Sequence, residues 1–349
     1  MARKYDIPAD LEIDFSSLNG YTDSIKELAP YVAYYAIGEL TAGRLEKLSR
    51  TKVRDSYYHS FEIPKKSGGS RTITAPGGDL KRVLNVLAQA LKDIYSFVPS
   101  SVHGFVDGCS VATNASCHVG KKYVLNLDLK DFFPSVKKSM VISSLKKLQV
   151  DKDVARLIAK LCCYTPVGGG DECLPQGAPT SPILSNIACY GLDVRLIGLA
   201  NTYGVNYTRY ADDMTFSSDN NVFDEDGPFW RKLKTIIEEC GFVINDRKTR
   251  LQRPWERQEV TGISVNSKVN VSRKYLKTLR AELNNMKYRE VTMEEWMKVM
   301  GKVNYVRMVR KAQGIEEDYR SQCLAFDAWT VLIKIREREF FSQGNYNNR

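Results

Sequence analysis

The sequence predicts an α+β protein in which short antiparallel strands carry acidic residues and the last quarter of the chain forms a basic helical lobe. Three observations lead there. The runs YVLNLDL (123–129) and VNYTRYADDMTFSS (205–218) have the apolar or alternating pattern of strands. The stretches between such runs repeat their apolar residues at helical spacing. From 267 to 349 there are 17 Lys and Arg against 10 Asp and Glu, so most of the chain's net charge of +10 lies in that segment.

Taken in order, residues 22–50 read as helix interrupted by Pro30, and residues 79–97 (DLKRVLNVLAQALKDIYSF) read as an amphipathic helix. Between them SFEIPKKSGGSRTITAP (60–76) places β-branched residues on either side of a Gly-Gly turn, a hairpin tipped by Lys65, Lys66 and Arg71. The strand 123–129 carries Asp128. Helical patterns follow at 138–163 and, past LPQGAPTSP, at 182–202. After the strand pair of 205–218 come a helix at 227–241 closed by Gly241, a strand-like FVIND leading to Lys248, and VTGISVN (260–266). Helix then runs to near the end, where SQGNYNNR is polar and without period. No internal repeat or low-complexity segment stands out.

A chain of 349 residues suffices for two or three lobes, and 43% hydrophobic with 26% charged residues is a globular composition. A pI near 9.1 points to a polyanionic partner, nucleic acid foremost. The eight cysteines show no paired CxxC spacing and the three histidines are scattered, which argues against structural zinc. With no signal peptide and no apolar run near 18 residues, the sequence is read as cytoplasmic, with reduced thiols and no membrane association.

Asp212 and Asp213 stand side by side within a strand pattern. At about 4 Å and an effective dielectric of about 20, two such charges repel by roughly 4 kcal/mol. Neighbouring side chains of a strand point to opposite faces, so both acids converge on one site only if the backbone turns, as at a hairpin tip over 211–213. Asp128, a carboxylate in an apolar strand, needs a partner or a metal and supplies a plausible third ligand. Three carboxylates with few thiolates or imidazoles make a hard-oxygen site for Mg2+ or Mn2+. Two such ions would serve phosphoryl transfer from a nucleoside triphosphate.

NLDLKDFFPSV (126–136), LPQGAPTSPILSN (174–186), YADD (210–213), GFVINDRKT (241–249) and VTGISVN (260–266) occur in the order and approximate spacing of the reverse transcriptase motifs. The chain resembles that family from about residue 57 to about 280. The resemblance implies a right-hand polymerase fold. Fingers would span 1–103 and 137–180, a palm of antiparallel sheet backed by helices 104–136 and 181–266, and a helical thumb 267–349. It also implies that Asp128, Asp212 and Asp213 bind the metals. Phe133, five residues beyond Asp128, matches the steric gate against a ribose 2′-hydroxyl. Asp131 and Phe132 match the residues whose amides meet the triphosphate, and Gln176 the glutamine near the incoming nucleotide. Lys65, Lys66 and Arg71 match fingertip cations for the triphosphate, Arg71 best because guanidinium binds phosphate bidentately; a solvated basic turn is the other reading. Lys248 matches the lysine that neutralises or protonates pyrophosphate, with an ordinary surface lysine as the alternative.

NASCH (114–118) and Val260-Thr261-Gly262 fit the NAxxH and VTG patterns of bacterial retron reverse transcriptases. This resemblance implies RNA contacts by Asn114, His118, Val260, Thr261 and Gly262, although Asn114 and His118 fit a buried polar pair equally well. Thumb residues Lys268, Arg273, Lys274, Lys277 and Arg280 are candidates for the phosphate backbone. The implied partners are dNTPs, a cognate structured non-coding RNA, its DNA product and a separately encoded effector protein. The implied reaction starts DNA synthesis at a guanosine 2′-hydroxyl to give branched RNA-linked single-stranded DNA (msDNA), within antiphage defence. A non-retron defence or intron-like enzyme with other priming, and an RNA-binding scaffold with a silent palm, stand as alternatives.

Overall fold

The computed structural model describes residues 42–65, 68–95, 97–312 and 319–344. Lys66, the helix expected over 22–41 and the end of the polar tail lie outside these. In chain order the elements are α1 (Ala42–Ser49), α2 (Thr51–Asp55), β1 (Tyr58–Pro64), β2 (Ser70–Pro76), α3 (Gly78–Ile94), α4 (Val111–Ser116) and β3 (Tyr123–Asp128). Then follow α5 (Phe132–Ser135), α6 (Lys138–Lys147), α7 (Lys152–Cys162), α8 (Ser181–Tyr203), β4 (Asn206–Tyr210), β5 (Asp213–Ser218) and α9 (Pro228–Glu239). The chain continues through β6 (Arg250–Gln252), β7 (Glu259–Val260), β8 (Ile263–Ser264), α10 (Arg273–Met286), α11 (Met293–Lys311) and α12 (Tyr319–Gly344). The mixture is α+β, and every strand pair is antiparallel. Two compact units interleave along the chain, one within Met1–Pro99, Leu129–Arg195 and Lys234–Ile244, the other within Ser100–Asp128, Leu196–Leu233 and Asn245–Arg349.

In the first unit β1 and β2 form the expected hairpin, in register from Tyr58↔Pro76 to Pro64↔Ser70. Lys65 N–H donates to Gly69 O at 3.0 Å, which closes the turn. Helix α3 buries Leu80, Val83, Leu84, Leu87 and Leu91, the i, i+3, i+4, i+7 stripe of an amphipathic helix. The helix expected over 138–163 is two helices. Gln149 turns left-handed at φ 63, and the Asp151 side chain accepts from Asp153 and Val154 N–H to start α7 afresh. A local cap thus overrides a continuous apolar pattern. Arg54, fully buried, donates to Lys160 O at 2.7 Å and pairs with Asp55 and Glu172, whose carboxylate also meets Lys138.

Helix α8 corrects the expectation of no long apolar run. Over 18 residues its mean hydropathy is 1.4, enough by length and composition to cross a bilayer. Much of that surface is inside the protein, including Leu184, Ile187, Cys189, Leu192 and Leu196, so the apolar run is explained by core burial.

The second unit holds a four-stranded sheet in the order β4-β5-β3-β6. The two central strands are nearly continuous apolar runs: Val124, Leu125 and Leu127 of β3 and Met214 and Phe216 of β5 are all buried, as strands covered on both faces should be. FVIND is not a strand. Ile244 makes one isolated bridge to Leu129, and Asp246–Lys248 is a 3-10 turn. Helices α10, α11 and α12 bury Leu279, Leu283, Val299, Val303, Val306, Leu324, Ala328 and Val331 in a cluster shared with Ala112 and Ala115 of α4 and Val260 and Ile263 of β7–β8. The Thr292 and Glu295 capping box opens α11.

Gly177, beside Gln176, adopts φ +138, and a Cβ there would lie 2.8 Å from Ile73 Cγ2 and 3.0 Å from Thr74 O. Thr74 N–H meanwhile donates to Gln176 O at 2.8 Å, which lashes LPQG to the hairpin. Gly177→Ala is expected to destabilise this unit by roughly 1–3 kcal/mol, through backbone strain and overpacking, in chemical denaturation.

Candidate active site

The acids assemble by strand register. β3 and β5 pair so that Asp128 faces Asp213, and β4 and β5 pair so that Tyr210 faces Asp213. Only Ala211 and Asp212 remain to reverse the chain, and Ala211 takes the left-handed conformation at φ 58. The turn that the adjacent acids require is therefore present, and it puts Asp212 beside a facing pair of carboxylates.

Asp128 is 5% exposed and fully engaged. Lys248 Nζ donates to its Oδ2 at 2.7 Å and Asn245 Nδ2 to its Oδ1 at 3.0 Å. Asn245 N–H also donates to Asp128 O at 2.8 Å. Burial by itself would lower the pKa of Lys248, but the bond to Asp128 and the field of the three carboxylates outweigh it and raise the pKa. Asp213 keeps a solvent-facing edge, yet desolvation first, then Asp212 and Asp128, push its pKa up from 3.8 to about 7. Three oxygen donors suit a hard divalent ion. Among the described residues, however, no three Asp, Glu, His or Cys side chains converge closely enough to hold one, and Asp128 is bonded to Lys248 and Asn245.

Two residues to which the sequence reading gave no role hold the acidic turn in place. Arg209, fully buried, donates through Nη1 to Ala211 O at 3.1 Å. Its backbone N–H donates to Ser101 O at 2.8 Å and its carbonyl accepts from His103 N–H at 2.9 Å, so Ser101–His103 runs beside β4 with Val102 in a parallel bridge. Gly104 follows directly. A Cβ there would overlap the Ala211 nitrogen and fall 2.9 Å from the Tyr210 carbonyl carbon. An arginine within a buried strand was the available signal, since a buried charge must be paired. Gly104 had none.

His118 lies beneath the same strands, fully buried, with Nδ1 2.7 Å from Ser217 Oγ and Nε2 2.7 Å from Thr208 Oγ1. Burial, then the neighbouring His103, drops its pKa to about 3, so it is a neutral ring that donates through one nitrogen and accepts through the other. Asn114 is buried on α4, and its carboxamide finds no hydrogen-bond partner among the described residues. The buried reading therefore describes both side chains, but only His118 is satisfied. Val260 is buried as well. Thr261 and Gly262 form the β7–β8 turn at φ 47 and 81, with Thr261 Oγ1 donating to Val111 O at 3.3 Å. The side chains of Asn114, His118 and Val260 are thus all inside the protein, while Thr261 and Gly262 lie at the turn. Lys268, Arg273, Lys274, Lys277 and Arg280 are exposed, the last four on α10, and make no ion pair among the described residues.

The nucleotide candidates fall in the first unit. Lys65 and Arg71 are exposed at the hairpin, again with no ion pair among the described residues. Asp131 adopts a left-handed φ of 46 ahead of α5. Phe132 is buried against Phe242, with ring centroids 5.9 Å apart, so its side chain is core and only its backbone is available to a ligand. Phe133 is half-buried and tilted against Phe132, and Gln176 is half-buried.

The β4–β5 turn thus sets Asp212 and Asp213 next to Asp128 of β3, with Lys248 bonded to Asp128, an acidic edge of the sheet that favours cations. The family profile described as reverse transcriptase (RNA-dependent DNA polymerase) matches residues 63–301. The retron Ec86 reverse transcriptase of Escherichia coli is 35% identical over 238 residues, covering 66% of this chain and 71% of that protein. The retron Mx65 reverse transcriptase of Myxococcus xanthus is 38% identical over 288 residues, or 76% of this chain. The chain thus belongs to the reverse transcriptase family, in its retron branch. It spans 64% of the length of the Mx65 relative. Among solved structures, a Candida albicans telomerase with a telomeric RNA fragment aligns at a TM-score of 0.43 and 12% identity over 80% of this chain and 60% of its own, a likeness too slight to bear weight.

Two outcomes follow from the geometry. The folded pKa of Asp213 lies above its unfolded value, so the stability tied to this proton is fully present below about pH 4 and is lost as the pH rises through about 7. In metal-free buffer the melting temperature should fall across that window, modestly because solvent screens the exposed edge, and Asp213→Asn should flatten the dependence. Gly104→Ala should displace the acidic turn and lower DNA synthesis at least about tenfold while the circular dichroism spectrum stays native.

Proposed function

We propose that the protein is an RNA-directed DNA polymerase of the retron type. It would copy a cognate structured non-coding RNA from a guanosine 2′-hydroxyl and leave branched RNA-linked single-stranded DNA, as a cytoplasmic bacterial component of antiphage defence with a separately encoded effector. The observation that carries the polymerase reading is the facing of Asp128 and Asp213 across β3 and β5 with Asp212 in the adjoining turn. The similarity to retron reverse transcriptases supports the retron reading of that polymerase.

Asp128, Asp212 and Asp213 are the residues that would hold two Mg2+ ions, or Mn2+. When bound, these ions would activate the attacking hydroxyl and stabilise the in-line transfer. For this to happen Lys248 must release Asp128 Oδ2. The freed ammonium, kept protonated by the carboxylates around it, is then available to neutralise or protonate the departing pyrophosphate. Asn245 keeps Asp128 oriented meanwhile. Arg71, Lys65 and Lys66 are assigned to the triphosphate, the backbone at Asp131 and Phe132 with them, Gln176 to the incoming nucleotide and Phe133 to exclusion of the 2′-hydroxyl. The fingers, palm and thumb are assigned to the segments given above, with Arg273, Lys274, Lys277 and Arg280 of α10 on the nucleic-acid backbone.

The test is the nucleic acid that copurifies with the protein expressed from its own locus, compared with Asp212→Asn and Asp213→Asn. DNA present only with intact acids, and reduced by DNase to a small branched RNA stub, is the expected result, with synthesis lost by at least about 1,000-fold in the variants. DNA with an ordinary 3′-primed or protein-linked end keeps the polymerase and removes the retron priming. RNA without DNA removes both.

A further inference from the structure

The loop between β6 and β7, residues 253–258, carries Trp255 at 76% exposure. The loop is not slack. At its base the Gln252 side chain clamps Glu259, donating from Nε2 to Glu259 O at 2.9 Å and accepting Glu259 N–H on Oε1 at 2.7 Å. Glu256 N–H donates to Arg253 O at 3.0 Å, and the Glu256 carboxylate accepts Arg253 N–H at 3.3 Å. Asn266 braces the far side, accepting Gln258 N–H at 3.0 Å and donating to Glu256 O at 2.8 Å. Gln258 Nε2 donates to Lys122 O at 2.8 Å. A six-residue loop pinned at its base, tip and return has little freedom to fold the indole back onto the protein.

The surroundings of that indole decide what it meets. Arg253 is exposed and its guanidinium makes no ion pair among the described residues; Arg250 is exposed too, while Arg257 is taken by Glu259 and Ser264. Trp255 is the one large apolar side chain of the loop, amid Arg253, Pro254, Glu256 and Arg257. An apolar protein partner would be met by a contiguous apolar patch, which this loop lacks. An exposed π face two residues along the same pinned loop from an exposed guanidinium suits a base with its phosphate, because stacking tolerates every base and the cation follows the backbone.

We propose that Trp255 and Arg253 form a stacking platform for an unpaired nucleotide of a bound single strand. The proposal rests on the nucleic-acid reading of the preceding section but not on catalysis. It is tested with the full chain and fluorescein-labelled 12-nucleotide dT and U single strands and a 12-base-pair duplex, by anisotropy at several salt concentrations. Trp255→Ala should weaken single-strand binding about tenfold, Trp255→Phe by no more than about twofold, and neither should change duplex binding. Arg253→Ala should reduce the salt slope by about one. The larger loss between dT and U identifies whether DNA or RNA is held. As a second readout, the strand should quench tryptophan emission in the wild type but much less in Trp255→Phe. Single-strand binding unchanged in both Trp255→Ala and Arg253→Ala, or an equal loss on the duplex, overturns the platform, and unchanged binding leaves the loop to a protein partner. DNA synthesis assayed in parallel separates the two readings: synthesis with unchanged binding removes the platform alone, and no synthesis with Trp255-dependent binding removes the polymerase alone.

Discussion

Mutual repulsion among Asp128, Asp212 and Asp213 is the constraint around which the second unit is organised. Strand register brings two of these acids face to face and a two-residue turn brings the third beside them. Desolvation first, and then the fields of Asp212 and Asp128, raise the pKa of Asp213. Lys248 and Asn245 relieve the repulsion on Asp128 from the short turn that leads into β6.

Rigid support is the counterpart of that electrostatic stress. Arg209 is spent inside the protein to hold one carbonyl of the acidic turn, and Gly104 lets neighbouring backbone approach the turn more closely than any side chain would permit. Below them a polar layer crosses the sheet. His118 spans Ser217 and Thr208, Asn126 Nδ2 donates to Thr215 Oγ1 at 3.3 Å, and Gln252 Nε2 donates to Asn126 Oδ1. Buried polar groups of this kind cost stability if a partner is lost and fix geometry while all are paired. Gln252 also clamps the base of the Trp255 loop, so one layer orders the acid-bearing strands and an exposed aromatic together.

Where sequence reasoning succeeded, the information was local. The hairpin expected over 60–76, the strands on either side of Asp212 and the helical character of the C-terminal segment follow from periodicity, although that segment is three helices rather than one continuous run. Where it failed, a local cap or a tertiary partner decided the outcome. Asp151 and Gln149 broke the pattern of 138–163, the apolar run of α8 was absorbed by the core, and FVIND found only one bridging partner at Leu129.

The sequence by itself determined the α+β class, the basic helical character of the last quarter and the family whose motifs the chain carries, because periodicity, charge and side-chain chemistry are properties of the chain, whereas the C-terminal helices share one compact unit with the sheet instead of forming a lobe of their own. Tertiary structure alone decided that Asp128 faces Asp213, that Lys248 and Asn245 share Asp128, that His118 is a buried strut and that Gly104 admits the acidic turn. These depend on strand register and on the distance between segments far apart in the chain, and neither quantity is written in the local pattern of residues.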